Sequence, residues 1–228
     1  MTGKLEDIRA EIDALDAQLR AGLLRRAELV AKIAAAKAAN GDIGMPLRPM
    51  REMQQMQALR AWQEAEAPML NAEGVVAIWR EIIGMALSQQ GGMTIYASPA
   101  AQATARAHFG ASLSYENAPA DLSELADNAR AIGVLSLAEA CPPPQGMAVF
   151  ARLPLHGAAG CLCYGAQIDE DPTAMGEVYL VRRQAARNGD RVLFDGDDYV
   201  LVETNMADND AIWGRYLTLE SRLSETGK

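Results

Sequence analysis

The feature that most constrains this chain is a long helical run, Leu5 to Ala39, reading LEDIRAEIDALDAQLRAGLLRRAELVAKIAAAKAA. Apolar residues step by three and four through Ile8, Ile12, Leu15 and Leu19, the spacing of one helix face. The same steps continue through Gly22, Arg26, Leu29 and Ile33, and a last step of four reaches Lys37. The stripe that ought to be apolar therefore carries two cations. A buried seam does not accept Arg and Lys unless something pairs with them. The helix is also roughly 50 Å long.

Two shorter helices follow in the first half. Asn40-Gly41 is a stop signal for the first helix, and residues 40–48 read as a loop with Gly41, Gly44 and Pro46. Pro49 suits the first turn of a second helix that stops before Pro68. Asn71 is expected to cap a third, whose apolar face would be Val75, Ile78, Trp79, Ile82, Ile83 and Ala86, and which ends at Gly91-Gly92. Two short helices cannot cover a partner of about 35 residues, so much of the first helix is expected to pack on a second copy of the chain. Met45, Met50, Met53 and Met56 read as core filling.

After Gly91-Gly92 the pattern changes. Met93–Ala97 reads as a strand, Pro99–Phe109 as a helix, Ser112–Tyr115 as a strand, Ala120–Asn128 as a helix and Ala131–Leu137 as a buried strand. Such βαβαβ alternation implies a parallel sheet. Beyond Pro142-Pro143-Pro144, strands are expected at Met147–Leu153, Gly160–Gln167, Glu177–Arg183, Arg191–Phe194 and Tyr199–Glu203. Asp195-Gly196-Asp197-Asp198 reads as a hairpin turn and Asn209–Leu223 as a last amphipathic helix. The expected fold class is α+β multidomain: a helical domain over 1–91, then an α/β domain over 92–228.

Charge narrows the function classes. The 228 residues carry a net charge of -9, which argues against nucleic acid. Residues 1–91 hold 11 Lys and Arg against 12 Asp and Glu, whereas residues 92–228 hold 10 against 18. A small anionic ligand is therefore expected in the first half, beside its clustered cations. No apolar run is long enough for a membrane span and no secretory signal is visible, so a cytoplasmic protein is expected. Cys141, Cys161 and Cys163 lack metal-ligand spacing and read as free thiols. His108 and His156 read as structural or surface side chains.

Arg26 and Lys37 are 11 residues apart, almost three whole turns, so they share a face about 16 Å apart along the axis. Arg9 lies 17 residues before Arg26, about 25 Å away, and cannot reach the same small ligand from its own helix. In an antiparallel pairing with a second copy, the partner's Arg9 can. Taken singly, Arg25, Arg26, Lys37 and Arg51 would each read as part of a solvated helix face. As a set they do not, because two lie on the apolar stripe.

Residues 5–90 resemble the all-helical class of chorismate mutase, a three-helix domain that forms an intertwined dimer. The segments IRAEIDALDAQL, LLRRAELVAKIAAAK, PLRPMRE and IWREIIGMALSQQ carry the resemblance. It implies a homodimer, with Arg9 reaching across the interface, and an enzyme that rearranges the dianion chorismate to prephenate for phenylalanine and tyrosine biosynthesis. That pericyclic step uses no nucleophile, proton transfer or cofactor. It asks the site to hold the compact conformer and to stabilise charge on the breaking ether oxygen. By resemblance Arg9, Arg26 and Arg51 hold carboxylates, Lys37 and Gln90 donate to the ether oxygen, and Glu52 receives the ring hydroxyl. Arg48 is a further candidate contact. The chain departs from the family pattern at Ala86, where many members have Ser, at the longer loop after Lys37, and at Arg48-Pro49. Two other readings share these residues: an isochorismate pyruvate lyase, and a non-catalytic dimeric sensor of an aromatic precursor.

In the second half, TIYASPAAQATARAHFG followed by ARAIGVLSL is similar to the start of a prephenate dehydratase catalytic domain. The Thr-Arg-Phe motif and the Gly-rich first turn of that enzyme are missing. The expectation is a non-catalytic α/β module, degenerate or serving in regulation or dimer contacts.

Overall fold

The computed structural model describes residues 2–41, 44–155, 157–166, 178–181, 191–195, 200–204 and 212–216. Three helices come first: α1 (Thr2–Ala39), α2 (Pro49–Glu66) and α3 (Ala72–Gln89). Their ends follow local chemistry. Gly41 takes φ 71° beyond α1, Pro49 opens α2, and the Asn71 side chain accepts from the Gly74 amide at 2.8 Å.

The remaining described elements are strands β1 (Thr94–Ala97), β2 (Ser114–Asn117), β3 (Ala131–Ser136), β4 (Met147–Leu153), β5 (Cys161–Ala166), β6 (Val178–Val181), β7 (Arg191–Asp195), β8 (Val200–Thr204) and β9 (Ile212–Tyr216), with helix α4 (Gln102–Phe109) after β1. They form one mixed sheet in the order β2-β1-β3-β5-β4-β9-β6-β8-β7. β2, β1 and β3 are parallel, as the βαβαβ pattern requires. β3 meets β5 antiparallel, and β5 pairs antiparallel with β4. The molecule is thus helical at its N-terminal end and sheet-containing after it, an α+β arrangement.

Two of the expected helices change. The helix expected over Ala120–Asn128 is a single 3-10 turn, Leu122–Leu125. Asp121 caps it through the Ser123 amide at 2.8 Å, and Asn128 turns the chain into β3 by accepting from the Arg130 amide at 3.0 Å. The helix expected over Asn209–Leu223 is, where described, strand β9. It sits between β4 and β6, and Gly214 lies so close to the Val149 carbonyl that no β-carbon would fit. The rest of that expected helix, Gln167, His156 and residues 196–198 of the hairpin turn lie outside the described residues. The strands flanking the turn do pair antiparallel, Asp195 opposite Val200.

Both faces of β3 are covered, which explains its continuous apolar run. Side chains alternate: Ile95, Ile132, Val134, Cys161 and Cys163 enter a core on one face, while Leu135, Leu162 and Tyr164 enter a core on the other. The first core does not stop at residue 91. Met53, Met56, Val75, Ile83 and Leu87 from α2 and α3 belong to it together with Phe109 of α4. The methionines fill it as expected, with Met45, Met53 and Met56 buried and Met50 packed against the cluster. In the second core's half of the sheet, buried Arg152 of β4 pairs with Glu203 of β8 at 2.6 Å, and the Tyr216 hydroxyl donates to Glu203 at 2.9 Å.

Helix α3 is where the two halves join. Gly84 faces the end of α4, and a β-carbon there would collide with the Phe109 carbonyl oxygen. Four residues earlier Arg80, 4 % exposed, donates to Glu52 Oε2 of α2 at 3.0 Å. The face expected from sequence is corrected accordingly. Val75, Arg80, Ile83, Gly84, Ala86 and Leu87 are buried, while Ile78 and Trp79 are exposed. The sheet half covers one side of α3 and α1 meets another, while Ile78, Trp79 and Met85 stay exposed.

Helix α1 is mostly bare. Every described side chain from Lys4 to Arg25 is exposed, and only Arg26, Ala27, Val30, Ala34 and Lys37 are shielded. Ile8, Ile12, Leu15 and Leu19 are 46–66 % exposed. The expectation that α1 exceeds what its own chain can cover is met.

Two stability outcomes follow. Gly84→Ala should cost about 1–3 kcal/mol, because backbone rather than a mobile side chain must yield; urea denaturation would measure it. Glu52→Ala should cost about 3–5 kcal/mol by stranding buried Arg80, whereas Arg51→Ala, one residue earlier and exposed, should stay within about 0.5 kcal/mol. Equal losses at the two positions would show that the buried pair does not hold α2 to α3.

Candidate functional site

Among the described residues, the part of α1 shielded by its own chain is the part bearing the two misplaced cations. Arg26, Ala27, Val30, Ala34 and Lys37 recur at three- and four-residue steps and form the shielded face. Arg26 Nη1 donates to the Ile82 carbonyl of α3 at 3.1 Å. That contact half-buries the guanidinium, and burial lowers its pKa from the ordinary arginine value. An arginine has five donors, so one bond to a carbonyl leaves capacity for a planar anion. Lys37 stands half-buried in the last turn of α1. There the helix C-terminus favours a cation.

Gln90 sits at the C-cap of α3. Its amide Nε2 donates back to the Ala86 carbonyl at 3.2 Å, and its own carbonyl accepts from Arg130 at 3.1 Å. The end of α3 is thereby stitched to the turn before β3. Ala86 is buried at 6 % exposure, so this position offers no hydroxyl.

The remaining sequence-derived residues are distributed unevenly. Arg48 Nη1 donates to the Met45 carbonyl at 2.8 Å and to the Leu47 carbonyl at 3.3 Å, so its guanidinium is wrapped over the loop leading into α2. Arg51 is exposed on α2. Glu52 is not open to solvent: it is 8 % exposed, and its Oε2 is engaged by Arg80. Arg9 is exposed on the bare part of α1, well away from Arg26 and Lys37 of the same chain. Within one chain the structure brings Arg26 to α3 and leaves Arg9 apart.

Arg80 is the residue the sequence reading missed. Its signal was present, a single cation inside the apolar run VVAIWREIIGMAL, the same anomaly that singled out Arg26. Around it lie His108 of α4 and Cys163 of β5. Burial, followed by the Arg80 charge, holds the His108 pKa well below the usual histidine range. Burial raises the Cys163 thiol well above its usual value, with Arg80 opposing. At neutral pH both are uncharged, so the charge that answers Arg80 is Glu52. All three cysteines are free thiols.

Chemically, α1 offers Arg26, seated on α3 with donors to spare, and half-buried Lys37 on the same shielded face. Such a set can bind and orient a small anion. Among the described residues no helix is long and apolar enough to cross a membrane.

Comparison with curated proteins and with solved structures finds no match. The helical half, by contrast, fits a known family: residues 8–91 match the family model of chorismate mutase type II.

Proposed function

We propose that the protein is a chorismate mutase, rearranging chorismate to prephenate on the helical half and supplying phenylalanine and tyrosine synthesis. The observation that carries this reading is the family match over residues 8–91. It is supported by the finding that Arg26 and Lys37 occupy the shielded face of α1 rather than open solvent.

In this reading the substrate dianion lies along α1. Arg26 and Arg51 take carboxylates, and Arg9 of a second copy completes the set. Arg forks match carboxylates in two-point contacts, which fix orientation as well as charge. Held this way, the substrate's reacting ends are kept close, and the entropy of finding that conformer is spent on binding. Lys37 and Gln90 aim donors at the ether oxygen as its bond breaks, lowering the barrier where charge develops. The Gln90 amide has two N–H donors, so one can serve the ether oxygen while the other keeps the bond to Ala86. Arg48 lies at the mouth of α2, where it braces the loop. Glu52 accepts the ring hydroxyl. Each of these roles asks a residue to bind or polarise, and none asks it to exchange a proton.

The dimer in this reading is an antiparallel pairing of α1 with its copy, which covers the exposed Ile8, Ile12, Leu15 and Leu19 and brings the partner's Arg9 toward Arg26.

Purified protein mixed with chorismate should consume it and form prephenate; release of pyruvate instead would assign lyase chemistry. Lys37→Ala should lower kcat/KM by about 10²–10³ with the folded state intact by circular dichroism, and a wild-type rate would remove Lys37 from the site. Arg9→Ala and Arg26→Ala variants should each be impaired, and mixing them should restore part of the activity by assembling one intact shared site. No recovery after verified subunit exchange would rule out a site built across the dimer.

A further inference from the structure

The Arg80–Glu52 pair is expensive to bury. Arg80 is 4 % exposed and Glu52 8 %, and the Arg80 Nε has no hydrogen-bond partner among the described residues. A buried pair of this kind is often no more stabilising than apolar residues of the same size. Stability alone therefore does not account for a cation in the middle of α3. Its geometry does something more specific. Glu52 lies in the first turn of α2, where the helix N-terminus favours a carboxylate. Arg80 fixes one of its oxygens at 3.0 Å. An ionised carboxylate only accepts hydrogen bonds and has capacity for several at once.

We propose that Arg80 is a positioning residue for the reaction assigned above: it holds Glu52 as a fixed, ionised acceptor for the substrate's ring hydroxyl. The inference rests on that functional reading. Arg80 does not touch the substrate and acts through Glu52. Arg80 also lies near enough to His108 of α4 and Cys163 of β5 for its charge to act on both.

Titratable groups of three elements bear on the pair. Arg80 of α3 faces Glu52; His108 of α4 and Cys163 of β5 act on Arg80. With His108 neutral and Cys163 protonated near pH 7, removing the Arg80 charge takes away a cation that favours the ionised form of buried Glu52. Burial then favours the protonated acid, so the Glu52 pKa rises. A protonated Glu52 loses its role as an obligate acceptor, and activity falls on the acid side of the profile.

The test is the dependence of kcat/KM on pH with chorismate, for wild type, Arg80→Gln, Arg80→Lys and the double variant Arg80→Gln, Glu52→Gln, each checked for folding by circular dichroism. Arg80→Gln should move the acidic limb up by about 1–3 pH units. Arg80→Lys should keep the limb near its wild-type position, and the double variant should lose it. A limb unmoved in Arg80→Gln, with wild-type protein active, would overturn the inference and leave the functional reading standing. Wild-type protein without activity on chorismate would overturn that reading and the inference together. A merely structural Arg80 would lower the folded fraction, more in Arg80→Gln than in the double variant, and leave the limb in place.

Discussion

The structure depends on α3 being sandwiched. Its inner side packs into a core shared with α4 and the sheet, through Ile83, Leu87 and Val75, and the backbone of α4 comes so near that position 84 has to be glycine. Its other side meets the last third of α1, where the Ile82 carbonyl receives Arg26. A third side of α3 stays open, where Ile78, Trp79 and Met85 are exposed. Everything proposed about the site follows from this placement, because α3 supplies both the contact that seats Arg26 and the cation that seats Glu52.

Much of this was legible in the sequence, and for identifiable reasons. Helix ends at Asn40-Gly41, Pro49 and Asn71 are written in residues whose backbone or side-chain chemistry works locally. β1 to β3 and their parallel order could be read because alternating strand and helix segments admit few topologies. The shielded cations were found by their misfit with a periodic stripe. What failed had non-local causes. The segment Asn209–Leu223 carries a helical apolar spacing, yet Ile212–Tyr216 is recruited between β4 and β6 by strands more than thirty residues earlier. Ala120–Asn128 was too tightly tethered by Asp121 and Asn128 to wind more than one turn.

The candidate site was legible in part. Arg26 and Lys37 fall where the stripe argument put them. Glu52 was named, but its burial against Arg80 was invisible, because the pairing crosses from α2 to α3 over 28 residues of sequence. The apolar core runs across residue 91: Met56, Ile83 and Leu87 of α2 and α3 share it with Phe109 of α4 and with Ile132 and Val134 of β3.

The bare length of α1 has a thermodynamic meaning for the whole molecule. Nine large apolar side chains between Leu5 and Ile33 remain 41–66 % exposed. Each has about 1 kcal/mol still to gain from being covered. A free energy of that kind is not stored within one chain. It is released only when a second surface arrives, so the folded population responds to the concentration of whatever covers the helix, by mass action.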